Sequence, residues 1–130
     1  ELYQQRFLAI LHRFHTQATE NPWGFAHYLT VAALSLLPPL DLTLVGDPKH
    51  SRTAGLLAEI YRRYLPERRL ALKNPQDAAR VEGLIPATKD YAPVGSEPVA
   101  YLCHQYTCQA PTGDARELSA QLEKIKPSAT

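Results

Sequence analysis

The chain is 130 residues long, with 45% apolar and 21% charged residues and a net charge of +1. That length suits a domain of ordinary size that buries a real core without metal or disulfide staples. Basic and acidic residues are interleaved, which excludes a protein built chiefly to grip nucleic acid or anionic lipid.

The first segment, Glu1 to Glu20, carries Tyr3, Phe7, Ile10, Leu11 and Phe14 at three- and four-residue spacing, the stripe of an amphipathic helix. Its charges run throughout, unlike a secretory signal. Asn21-Pro22 breaks it, with Asn21 as an N-cap and Pro22 at the first position of a second helix. That helix reaches about Leu36 with Phe25, Leu29, Ala32 and Leu36 inward, and Pro38-Pro39 ends it. Two helices joined so tightly predict an antiparallel hairpin over residues 1–39. The apolar run Val31 to Leu37 falls well short of the ~20 residues that cross a bilayer.

After the prolines the period changes. Leu40 to Val45 reads as a strand leaving through Gly46-Asp47-Pro48. A helix follows from about Ser51 to Leu65, with Leu56, Leu57, Ile60, Tyr61 and Tyr64 inward. Leu70 to Leu72 predicts a second strand, and Asn74-Pro75 opens a shorter helix to about Leu84. Residues 85–97, with three Pro or Gly breakers, read as a long loop. Pro98 to Cys103 predicts a third strand, with Thr107 to Ala110 returning beside it. A last helix starts at Asp114, with Glu117 completing a capping-box start and Leu118, Leu122 and Ile125 buried. The order predicts an α/β fold: an N-terminal helical hairpin, then over residues 40–130 a small, mostly parallel sheet of three to four strands with flanking helices.

Chemistry is sparse along this frame. The turn at Gly46 and Asp47, with Ser51 and Thr53 on the helix beyond, is a candidate anion site, because helix N-termini present free N–H groups. It lacks the glycine spacing of a dinucleotide or phosphate loop, so a tight turn capped by Asp47 or Ser51 is the plainer reading. Cys103 and Cys108 do not have Cys-x-x-Cys spacing; two buried thiols, a disulfide or redox pair, and a metal site all fit the spacing. If the two flanking segments form a hairpin, the sulfurs face each other, bridging in oxidising conditions and resting as thiols in a reducing cytoplasm. Only His104 is adjacent in sequence as an activating cation. His12 and His15 lie one turn apart without a third ligand. Asp41, Asp47, Asp90 and Asp114 sit at turns and caps and do not suggest a paired-acid site. Arg62-Arg63 and Arg68-Arg69 read as solvated faces. No cofactor or metal is expected, and no catalytic constellation is complete.

The stretch Leu42-Thr43-Leu44-Val45-Gly46-Asp47-Pro48, with Leu56-Leu57 and Tyr64-Leu65-Pro66, resembles the C-terminal region of the thioredoxin-domain-containing, spermatogenesis-associated-like proteins. Val99-Ala100-Tyr101-Leu102-Cys103 and Thr107-Cys108-Gln109-Ala110-Pro111, with Asp114, resemble that family's closing signature. The resemblance implies an N-terminal thioredoxin-like domain and a helical barrel similar to six-hairpin glycosidases elsewhere in a longer chain, with residues 1–39 as the barrel's last hairpin. It also implies a non-catalytic C-terminal module whose partner is the rest of its own chain; with that chain missing, the hairpin is expected to expose an apolar patch and either pair with a second copy or repack onto its own sheet. Neither nucleic acid nor membrane is an expected partner. A redox accessory using Cys103 and Cys108, or an anion module at Gly46 to Thr53, is the alternative. The absence of methionine agrees with a piece of a longer protein, and two cysteines are too few for a secreted scaffold, so the expected setting is cytoplasmic.

Overall fold

Leu40, Leu42 and Leu44 alternate along a six-residue strand, and the pleat sends all three to one side. This strand, β1 (Leu40–Val45), is the middle of the core of the α/β unit. In the computed structural model, which describes residues 2–125, it is followed by α3 (Ser51–Tyr61), β2 (Arg68–Lys73), α4 (Ala78–Leu84), β3 (Val99–His104), β4 (Thr107–Cys108) and α5 (Ala115–Glu123). Before it come α1 (Leu2–Glu20) and α2 (Ala26–Leu36). The chain divides into two compact units, Glu1–Leu37 and Pro38–Thr130. Glu1 and residues 126–130 of the expected modules lie outside the described residues.

In the first unit, the Phe14 and Phe25 rings lie 6.2 Å apart, and the Tyr28 hydroxyl donates to the Leu11 carbonyl at 2.6 Å. Rising positions on α2 thus meet falling positions on α1, which is the antiparallel hairpin. The second helix begins four residues later than its proline suggests. Residues 22–25 form a turn in which the Gly24 N–H donates to the Asn21 side chain.

In the second unit the α/β class holds, and the sheet has four strands in the order β2-β1-β3-β4. The sheet is mixed rather than mostly parallel: β1 and β2 run parallel, while β1–β3 and β3–β4 are antiparallel. Anchoring explains the difference. Helix α3 returns the chain to the start of the sheet, so β2 repeats the direction of β1. After β2 the chain is held at the end where β2 finishes, because Lys73 there binds the Thr88 and Tyr91 carbonyls, and Val99 enters the sheet opposite Val45, the last residue of β1.

The core lies on one side of this sheet. Leu40, Leu42, Leu44, Ala100 and Leu102 pack against Leu56 and Ile60 of α3 and against Leu118 and Leu122 of α5. Tyr61 and Tyr64 do not join it and are exposed. Helix α3 ends at Tyr61, so Tyr64 falls out of helical phase. The Tyr61 ring instead receives the Arg68 guanidinium, 5.1 Å from its centroid.

Helix α5 starts as its sequence implies, with one change. The Asp114 carboxylate accepts from the N–H groups of Arg116 and Glu117, at 2.7 and 3.0 Å. Glu117 does not reach back directly. The Asp114 N–H donates to the Thr112 hydroxyl, and that hydroxyl donates to Glu117 at 2.6 Å, so Thr112 relays the second half of the box. The two backbone donors hold the Asp114 carboxyl below the ordinary aspartate range.

Candidate functional site

The same pleat that sends leucines to the core sends Asp41, Thr43 and Val45 to the opposite face. There the register sets Asp41 between Arg69 and Cys103, Thr43 between Ala71 and Tyr101, and Val45 between Lys73 and Val99. This second face therefore carries charges, a hydroxyl, an aromatic ring and a sulfur. Asp41 takes both arms of Arg69, each at 2.6 Å, in a two-pronged ion pair.

Lys73 is buried at the end of this face, yet fully partnered. Its ammonium donates to the carbonyls of Thr88 and Tyr91, both at 2.8 Å, and pairs with Glu82 at 2.7 Å. A buried ammonium without such partners would be costly to the fold. These contacts draw the loop after α4 across the second face.

The loop brings Tyr91 onto the sheet. Its ring stacks on Tyr101 with centroids 4.2 Å apart and planes 6° from parallel. The Tyr101 hydroxyl is fixed by the backbone of Ala92, donating to its carbonyl at 2.8 Å and accepting from its N–H at 3.1 Å. Stacking and tether together aim the Tyr91 hydroxyl at Cys103 Sγ, 3.5 Å away. The loop and the sheet enclose a groove of about 410 Å³ whose walls include Asp41, Arg69, Ile85, Thr88, Tyr91 and Cys103.

Cys103 and Cys108 are opposed across β3 and β4 with Cα atoms 3.9 Å apart, and their sulfurs form a disulfide. Of the alternatives that spacing left open, the structure has the bridge, and no group of three metal-ligating side chains occurs among the described residues. His104 and Thr107 also pair, so the loop between the strands is Gln105-Tyr106 rather than four residues. Both have positive φ, 50° and 63°, as a two-residue turn matching the strand twist requires. Cys103 is half-buried and Cys108 exposed.

The other candidate positions assemble less chemistry. Asp47 accepts from the Lys49 N–H at 2.8 Å within its own turn, and Asp47 and Ser51 are exposed. Neither caps α3. That role falls to His50, whose Nδ1 accepts from the Arg52 N–H at 3.2 Å. Thr53 is buried, with its hydroxyl unpartnered among the described residues. It faces Gly46 rather than solvent: a Cβ on Gly46 would sit 2.9 Å from that oxygen and 2.7 Å from Pro98 Cβ. A groove of about 620 Å³ beside the starts of α3 and α5 has Arg52 paired to Glu97 at 2.9 Å, and its remaining charges, Asp114 and Glu117, are acidic. His12 and His15 are exposed on α1. Asp90 is exposed and Asp114 is a cap, so the four aspartates are not gathered.

Lys73, Tyr91 and the Arg69–Asp41 pair had no part in the site expected from sequence. The alternation Asp41, Thr43 within an apolar strand, and Arg69, Lys73 one position out of phase with Leu70 and Leu72, signals a polar second face. Tyr91 has no such signal, since its place depends on a loop tied down by a residue eighteen positions earlier. No family model matches this chain, and no curated protein and no solved structure is detectably similar to it.

Proposed function

We propose that this chain is a non-catalytic structural and interaction module of a larger cytoplasmic protein of the thioredoxin-domain-containing family, whose helical barrel covers the α1–α2 hairpin. The observation that carries the reading is the hairpin's unspent apolar surface. Among its described residues only Ala18 is buried, while Leu2, Tyr3, Ile10, Trp23 and Leu36 are all more than half exposed. A pair of helices gains most of its stability by burying an apolar face, and apolar patches of this kind mark interfaces. The residues quoted above for the family resemblance supply the identity of the covering partner. No described helix is long and apolar enough to cross a membrane.

Hydrogen exchange tests this directly, on the chain alone and on a longer version that includes the barrel. The expected result is fast exchange over 2–36 in the chain alone, with strong protection at 40–45 and 99–104. The barrel should then protect 2–36. A monomeric chain with both units equally protected overturns the reading, and protection that rises with chain concentration replaces the barrel by a second copy.

A further inference from the structure

A cross-link that serves only to hold a hairpin gains nothing from a hydrogen-bond donor at one sulfur and open access at the other. The Cys103–Cys108 bridge has both. Because neither sulfur of a disulfide carries a proton, the Tyr91 hydroxyl is the donor in its 3.5 Å contact with Cys103 Sγ. Cys108 is exposed on a two-residue strand at the sheet edge, where an incoming group meets no covering element among the described residues. The Asp41 carboxylate opposite Cys103 would oppose a thiolate there, but its charge is taken up by both arms of Arg69.

We propose that this bridge is a thiol–disulfide exchange site, with Cys108 as the attacked sulfur, Cys103 as the leaving thiolate, Tyr91 as its hydrogen-bond donor and dithiols as the co-reactant. In the first step a dithiol thiolate forms a bond to Cys108 Sγ, and the bond between the two cysteines breaks. Its electron pair goes to Cys103 Sγ, which accepts a hydrogen bond from Tyr91. In the second step the remaining thiol of the reductant, as thiolate, attacks its own sulfur in the mixed disulfide and expels Cys108 as thiolate. The dithiol leaves as a cyclic disulfide, two electrons have passed to the cysteine pair, and the two thiolates take up the two protons the dithiol released. The groove beside Cys103 leaves room for the thiolate and its donor without displacing the Tyr91–Tyr101 stack.

Dithiothreitol is the probe, with alkylation of released thiols counted by mass at timed intervals. The oxidised, folded chain should be reduced much faster than it unfolds globally. Tyr91→Phe keeps the ring stack and removes only the hydroxyl. It should slow reduction of the folded chain by about tenfold, the rate equivalent of one hydrogen bond, and leave the rate in denaturant unchanged. With oxidised glutathione, Cys103→Ser, which keeps the exposed thiol, should form a mixed disulfide faster than Cys108→Ser. Three results overturn the assignment: reduction no faster than unfolding, a Tyr91→Phe rate equal to wild type in the folded state, or an air-oxidised chain with two alkylatable thiols.

Discussion

Lys73 enters the second face of the sheet as a charge removed from water, and three oxygens replace its hydration. Replacing it with methionine keeps the stem and strands two carbonyls and the Glu82 carboxylate. Breaking such a pair from one side costs more than the pair itself contributes, so Lys73→Met should destabilise by roughly 2–3 kcal/mol in denaturant titration. Because Lys73 also ties down Tyr91, exchange protection over 88–92 should fall with it. Asp114 makes a different prediction, in pH. Its carboxyl titrates below the ordinary aspartate range when folded, because backbone N–H groups of Glu117 and Arg116 favour the charged form. The stabilisation is complete above the unfolded value and is lost as pH falls through the lowered folded one. Asp114→Ala should therefore lower the thermal midpoint at neutral pH and flatten its decline at acid pH. Equal acid limbs in variant and wild type would remove Asp114 from the cap.

At the scale of elements, β1 has a long partner strand along each edge and helices over its core face. Leu44 is buried there, and Leu44→Ala should cost roughly 2–5 kcal/mol, as large-to-small changes in a packed core do. Leu57, which is only partly buried against the same cluster, should cost less when truncated. The exit of β1 is as tightly constrained. An alanine at Gly46 meets a proline ring and a buried threonine, neither of which can swing away, so Gly46→Ala should destabilise by about 1–3 kcal/mol by overpacking. Urea midpoints of the three variants check this order. These elements were largely legible beforehand, because their signals are local: leucines alternating in β1 and the Asp114 cap; the Asn74-Pro75 signal instead opens a short 3₁₀ turn, Pro75–Asp77, and α4 begins after it at Ala78. The faces of α3 were legible only to Ile60, since where the helix stops, and hence where Tyr64 points, depends on the turn into β2.

For the whole molecule, every residue of the hydrophobic cluster lies between Leu40 and Ile125. A chain lacking 1–37 should therefore unfold cooperatively with a midpoint close to that of the intact chain, by circular dichroism. A broad, early transition would show that the α/β unit leans on the hairpin.

The sequence by itself determined the elements, the break at Pro38-Pro39 and the core face of β1, because capping, proline sterics and side-chain period act within a few residues. It also put Cys103 and Cys108 within reach of each other, since a hairpin is nearly local. Only the tertiary structure decided that the sheet is mixed, because strand direction depends on the end of the sheet at which the connection is anchored. The hydrogen-bond donor to Cys103 was equally out of reach of the sequence. Tyr91 comes to its sulfur through a loop anchored by a buried lysine, and no local pattern in residues 85–97 encodes an anchor that lies in another strand.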